Sequence, residues 1–187
     1  MSTVANFNLE QYERMVEAGA FDGRFHQRVE MIQGEIRQMN PIGSWHAQVL
    51  GDLTDWCYEV TVRDRVAIRV QNTLRIPALN SAPEPDLLWV RRRNYSRKHP
   101  EPADVLLLVE VAESSLEEDR GEKGELYAQA GIADYWIVNL VDRTIEEYRQ
   151  PVGGIFQWSH IYRGGDTVTP LAAPDAALAI DYIWPSE

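Results

Sequence analysis

The chain is 187 residues long and contains one cysteine, Cys57. A single thiol excludes an intramolecular disulfide and any zinc site built on several cysteines. Cys57 lies in an amphipathic stretch, where it reads as core packing. No apolar run approaches the roughly 20 residues needed to span a bilayer. The opening MSTVANFNLEQYERM lacks a basic segment followed by an apolar one, so no secretory signal is expected. The expectation is a soluble cytoplasmic protein with no membrane association. Basic residues are few: 18 Lys and Arg against 29 Asp and Glu leave a net charge of −11. This argues against broad, nonspecific affinity for nucleic acid. Several catalytic and phosphate-binding motifs are also missing. No GxGxxG or P-loop is present, and the glycines of GGIFQWSHIYRGG flank strands. There is no GxSxG. His26, His46, His99 and His160 show no metal spacing such as HExxH. His46 falls on the core stripe of a helix and reads as packed or hydrogen-bonded.

What is present is an ordinary core composition, with 44% hydrophobic and 25% charged residues. No repeat or linker interrupts it, so residues 1–187 are expected to form one domain. Asn8 to Ala18 reads as a short helix ended by Gly19. RVEMIQ and EIRQM read as a strand pair turning at Gly34, with Glu30 inside the first strand. Ser44 starts a helix to about Val60, with Val49, Leu50, Leu53, Trp56 and Cys57 on one stripe. VAIRVQ, PEPDLLWV and VLLLVEVA read as strands. A helix of about four turns follows, from a capping box at Ser115 and Glu118 to a C-terminal stop at Gly131. DYWIVNL and TIEEYR form a hairpin turning at Asp142-Arg143. The tail is punctuated by Gly and Pro, with short strands around Phe156 to Tyr162. This order predicts an α/β fold with a central, mixed, mostly antiparallel sheet flanked by helices.

Two of these strands carry a carboxylate among apolar residues: Asp86 in PEPDLLWV and Glu110 in VLLLVEVA. A carboxylate in a buried strand is costly unless something pairs with it. Asp86 and Glu110 lie twelve residues on either side of Lys98, the midpoint of the polar loop between the strands. A symmetric hairpin sets them opposite each other, with Cβ atoms about 5 Å apart. Like charges that close repel, and a divalent metal such as Mg²⁺ relieves the conflict. The alternatives are a carboxylate exposed at a strand end or one bound by an arginine.

Lys123 is the third unusual residue. On the helix after Glu110 it shares a stripe with Leu116, Asp119, Leu126, Tyr127 and Ala130. It either pairs with Asp119 at i,i+4 and snorkels over the core, or points at the carboxylates. The five basic residues Arg91, Arg92, Arg93, Arg97 and Lys98 cluster in one loop around Tyr95. They form either a solvated hairpin tip or a set of phosphate contacts.

The ordered segments PEPD, LLLVEVAESSLEEDRGEK and LYAQAGIADYWIVNL resemble the restriction-endonuclease-like PD-(D/E)XK superfamily. Within it, the chain is similar to the Uma-type endonucleases, from VEMIQGE through the strand holding Tyr148. The resemblance implies a restriction-endonuclease-like fold and metal-dependent phosphodiester hydrolysis in nucleic acid, with DNA the expected partner. It makes Asp86 and Glu110 ligands of Mg²⁺ or Mn²⁺, adds the Val111 carbonyl, and places Glu30 as an acidic residue that completes the site. The superfamily pattern puts a lysine two residues after Glu110, where this chain has Ala112. The Uma-type branch carries its lysine on the following helix, which matches Lys123. A homodimer would set two basic loops along one duplex. Two other functions fit the acidic composition: a scaffold or binding module that has lost catalysis, and a metal phosphoesterase acting on a small or nucleotide substrate.

Overall fold

The structure is a computed structural model describing residues 5–22 and 28–184, so His26 lies outside it. The first helix, α1 (Leu9–Glu17), opens with a reciprocal cap. Asn8 Oδ1 accepts the Gln11 N–H at 2.9 Å, and Gln11 Oε1 accepts the Asn8 N–H at 2.8 Å. Strands β1 (Val29–Ile32) and β2 (Glu35–Gln38) form a separate antiparallel pair. Gln33 and Gly34, with φ of 51° and 88°, make the two-residue turn whose twist suits a hairpin. Helix α2 (Ser44–Val60) follows.

The main sheet has six strands: β3 (Val66–Val70), β4 (Leu87–Arg91), β5 (Val105–Ala112), β6 (Asp134–Asn139), β7 (Thr144–Val152) and β8 (Ile155–Tyr162). They lie side by side in chain order, and every pair is antiparallel except β5–β6. The parallel pair requires a crossover. Helices α3 (Leu116–Arg120) and α4 (Glu122–Gln129) supply it and pass over one face of the sheet. The tail adds a short pair, β9 (Thr167–Val168) and β10 (Leu178–Ala179). The α/β class and mixed, mostly antiparallel sheet expected from the sequence are therefore present. Among the described residues no helix is long and apolar enough to cross a membrane.

Three details differ from expectation. The long helix after Ser115 is broken at Gly121, whose ψ of −102° leaves the helical region. A Cβ there would meet the Glu117 carbonyl oxygen at 2.9 Å, so the break needs glycine. The Ser115–Glu118 capping box does not form. The Ser115 hydroxyl donates to Asp119 Oδ2 at 2.6 Å, and Glu118 reaches Arg37 at 3.7 Å. In the tail, β8 is a full edge strand of the main sheet.

Alternation along β5 divides the core. Leu107, Val109 and Val111 pack with Leu53 and Trp56 of α2. Leu108 and Ala112 pack with Leu126 and Tyr127 of α4. Trp56 stacks on Trp89 and Trp136, with ring centroids 5.6 and 6.2 Å away. Burying each such side chain contributes about 1.5–3 kcal/mol. On the α2 side, Asp134, Glu147 and Arg149 form a charged cluster. Asp134 accepts from Arg149 Nε (2.9 Å), the Trp136 indole (3.0 Å) and the Leu171 N–H (2.7 Å), which docks the tail.

Candidate active site

The β4–β5 register pairs Leu87 with Val109 and Leu88 with Leu108. One further step places Asp86 across from Glu110. A bulge between Trp89 and Val90 shifts the register nearer the loop, so the symmetry about Lys98 holds only at the Asp86 end. Each carboxylate grips the opposite backbone: Asp86 Oδ2 accepts the Val111 N–H at 2.9 Å, and Glu110 Oε2 accepts the Asp86 N–H at 3.1 Å. Both side chains are buried, at 9% and 3% exposure, which confirms that neither is a solvated strand end.

Other elements complete the site. The first turn of α2 sets His46 Nε2 3.0 Å from Asp86 Oδ1, and Gln71, just past β3, donates to the same oxygen at 3.1 Å. Burial raises the pKa of Asp86. The His46 bond and charge, the Val111 N–H and Gln71 outweigh that and hold it below the usual carboxylate value. From α4, Lys123 Nζ reaches Glu110 Oε1 at 3.2 Å, and the Tyr127 hydroxyl donates to the same oxygen at 2.7 Å. Lys123 also lies 3.7 Å from Glu30 and 3.9 Å from Asp119. Lys123 therefore faces the carboxylates; the Asp119 pair forms as well, but the side chain is buried instead of snorkelling to solvent. Burial alone would favour its neutral amine, but Glu110, Glu30 and Asp119 raise its pKa and keep it charged.

One buried lysine does not balance these acids. Burial pushes Glu110 up to about 8; Lys123 opposes this, while Asp119 and Asp86 add to it. Burial likewise pushes Asp119 up to about 6, against the pull of Lys123 and the Ser115 hydroxyl. Glu30, in β1, accepts the Glu84 N–H at 3.3 Å. These groups border a cleft of about 270 Å³ that Arg28 and Arg37 also line. Among the described residues no three His, Cys, Asp or Glu side chains form a ready cage for a metal ion. The donors are nonetheless all hard oxygens with excess negative charge. That suits Mg²⁺, which takes one or two carboxylates and keeps its waters. Asp86 and Glu110 are the pair able to hold it.

The basic loop is divided. Arg91 ends β4 while Asp86 precedes it, about 16 Å apart at the usual strand rise. Arg92 donates to the Arg63 carbonyl at 2.8 Å, and Arg93 pairs with Asp104 at 2.7 Å. Arg97 and Lys98 fold back and line a second cavity, which shares Arg28 and Glu84 with the carboxylate cleft.

Sequence reasoning missed several groups. Tyr127 was visible as a stripe-mate of Lys123 but read as apolar core. The polar partner of His46 was not predicted. Ser115 was read only as a helix cap, and Gln71, Arg28 and Arg37 carried no signal, because their roles depend on which elements meet at this end of the sheet.

The Uma2 family, described as "Putative restriction endonuclease", matches residues 9–181. The chain belongs to the Uma2 family. A solved structure, described as "a putative nuclease belonging to DUF820" from Anabaena variabilis, has the same fold. It superposes with a TM-score of 0.72 at 14% identity, covering 95% of this chain and 97% of that one. No curated protein matches the chain. The Uma2 match spans every element that builds the site, from α1 past β8, and its description is nuclease-like.

Proposed function

We propose that this Uma2 protein is a metal-dependent nuclease that hydrolyses phosphodiester bonds in DNA. The observation that carries the reading is the convergence of Asp86, Glu110 and Lys123 from two strands and a helix. Asp86 and Glu110, with the Val111 carbonyl, would hold Mg²⁺ or Mn²⁺. A bound divalent ion supplies Lewis-acid polarisation of the phosphate and a lowered pKa for water. Lys123 stays charged beside Glu110, placed to stabilise charge developing on the phosphate or to orient the attacking water. His46 and Gln71 hold Asp86 ionised and fix its orientation. Glu30 and Asp119 hold the Lys123 ammonium from its other sides. Arg97, Lys98 and Arg28 line the cavity that adjoins the cleft and suit backbone phosphates.

The test is cleavage of plasmid DNA with and without Mg²⁺ or Mn²⁺, with Asp86→Asn as control. Metal-dependent cleavage that Asp86→Asn abolishes is the expected result. A second reading, hydrolysis of a small phosphoester, draws support from the acidity of the cleft, which repels a polyanion. Turnover of nucleotides but not plasmid would favour it. Turnover of neither would favour a non-catalytic scaffold.

A further inference from the structure

Two donors reach one oxygen of Glu110 from the same helix, and they are not equivalent. Lys123 and Tyr127 stand one turn apart on the inner face of α4. Lys123 Nζ lies 3.2 Å from Glu110 Oε1, and the Tyr127 hydroxyl donates to that oxygen at 2.7 Å. The lysine is shared. Glu30 at 3.7 Å and Asp119 at 3.9 Å compete for the same ammonium. Its flexible four-carbon stem lets small rotations move the charge between partners. The tyrosine is committed. Its ring is fully buried in the cluster that holds Leu88, Leu108 and Leu126, and it meets the Tyr135 ring edge-on at 5.1 Å. A phenol has a single O–H to give, and Glu110 receives it.

The nuclease reading places two demands on Lys123, and they conflict. The ammonium must be able to meet charge developing on a phosphate, yet it is also the cation beside Glu110. If the lysine alone oriented Glu110, each move toward substrate would release that carboxylate. Tyr127 removes the conflict. Glu110 Oε2 accepts the Asp86 N–H at 3.1 Å and Oε1 accepts the phenol, so both oxygens are fixed without the lysine. A carboxylate has about four lone-pair positions, so capacity for a cation is left after both bonds. Donors placed behind a ligating group in this way set its orientation and its affinity for the ion.

We propose that Tyr127 is a positioning residue, holding Glu110 in the orientation that binds the divalent ion and so freeing Lys123 for the substrate, a role that rests on the nuclease reading. The test is the Kd of Mn²⁺, read without DNA from the electron-paramagnetic signal of the free ion at one pH. Tyr127→Phe keeps the ring and removes the hydroxyl. It should raise that Kd by about 10–100-fold. The Mn²⁺ concentration for half-maximal plasmid cleavage should rise by the same factor. Lys123→Met should lower the cleavage rate at saturating Mn²⁺ while moving the Kd less, because losing the ammonium also removes a charge that repels the ion. Tyr135→Phe controls for loss of a buried phenol, since that hydroxyl donates to the Asp119 carbonyl at 2.9 Å and not to Glu110. Its Kd should match wild type even where its melting temperature falls. An unchanged Kd in Tyr127→Phe overturns the proposal, whatever happens to the melting temperature. So does a Kd that Lys123→Met raises as far as Tyr127→Phe does. Should Tyr127→Phe not fold, Tyr127→Met, a flexible filler of the same gap, must raise the Kd by about tenfold or more, and an unchanged value overturns the proposal. If Tyr127→Phe raises the Kd but wild type cuts no DNA, the nuclease reading fails while the hold of Tyr127 on Glu110 stands. If wild type binds no Mn²⁺, both fail.

Discussion

Two charged clusters are buried on this one sheet, and they are built differently. In the first, Asp134 and Glu147 share Arg149. Nearly every oxygen has a fixed partner: Trp136, Leu171 and Arg149 for Asp134, and Tyr162 (2.8 Å) and Arg149 for Glu147. Arg149 also donates to the Thr169 carbonyl at 2.6 Å, so the cluster fastens the tail to the sheet. In the second, Glu30, Glu110 and Asp119 surround Lys123, Asp86 grips the backbone beside Glu110, and the group opens into a cleft. None of the first cluster's residues borders that cleft. A buried carboxylate alone therefore does not mark a site. Unbalanced charge with access to a cleft does, because the missing countercharge has to come from outside.

The comparison can be broken most directly by removing each cluster's cation. Lys123→Met should lower DNA hydrolysis by about 10² or more while the protein still folds. Arg149→Met should instead cost about 3–5 kcal/mol of stability, since it leaves two buried carboxylates unpaired. Chemical denaturation and cleavage rates on both variants check this. Glu110 can take up a proton when Lys123 is lost, so the Lys123 variant should be the more stable of the two. The reverse order would mean that the site cluster is structural.

Adding a cation sharpens the contrast further. Mg²⁺ or Mn²⁺ at about 100 times its Kd should stabilise the protein by about 2.7 kcal/mol, seen as a higher melting temperature. Asp86→Asn should remove most of that rise, and Asp134→Asn should not. Equal shifts in wild type and Asp86→Asn would locate the ion elsewhere.

The smallest expected effect is on pH dependence. Glu110 has a folded pKa raised to about 8 from an ordinary value near 4.5. The folded state thus keeps a proton that the unfolded chain releases. The resulting stability is present below the unfolded value and is lost as pH rises to about 8. Metal-free protein should melt progressively lower across that interval, and Glu110→Gln should flatten the trend. Asp86 has the opposite sign. Its pKa is depressed, so its contribution is present above the unfolded value and is lost as pH falls through the folded one. A metal-free melting curve that is flat from pH 5 to 8 would contradict the charge imbalance argued for the site.

Much of the site was legible before any tertiary structure. Equal spacing about Lys98 anticipated the pairing of Asp86 with Glu110, because register in a hairpin follows from counting residues. The 3.6-residue period anticipated that Lys123 would turn inward with Leu126 and Tyr127. The same reasoning, applied to DYWIVNL and TIEEYR, would have flagged Asp134 and Glu147 equally. Only their surroundings separate the two cases.

Local pattern, then, determined by itself the strands, the inward face of the crossover helix, the acidic character and the carboxylate pair. Tertiary structure decided which carboxylates remain unbalanced, that His46 and Gln71 hold Asp86, and that Tyr127 shares Glu110 with Lys123. It also moved Arg91, Arg92 and Arg93 to the far end of β4. The physical reason is range. Helical period and hairpin register are set by neighbours along the chain, whereas charge balance is a sum over groups that only the packing of distant segments brings together.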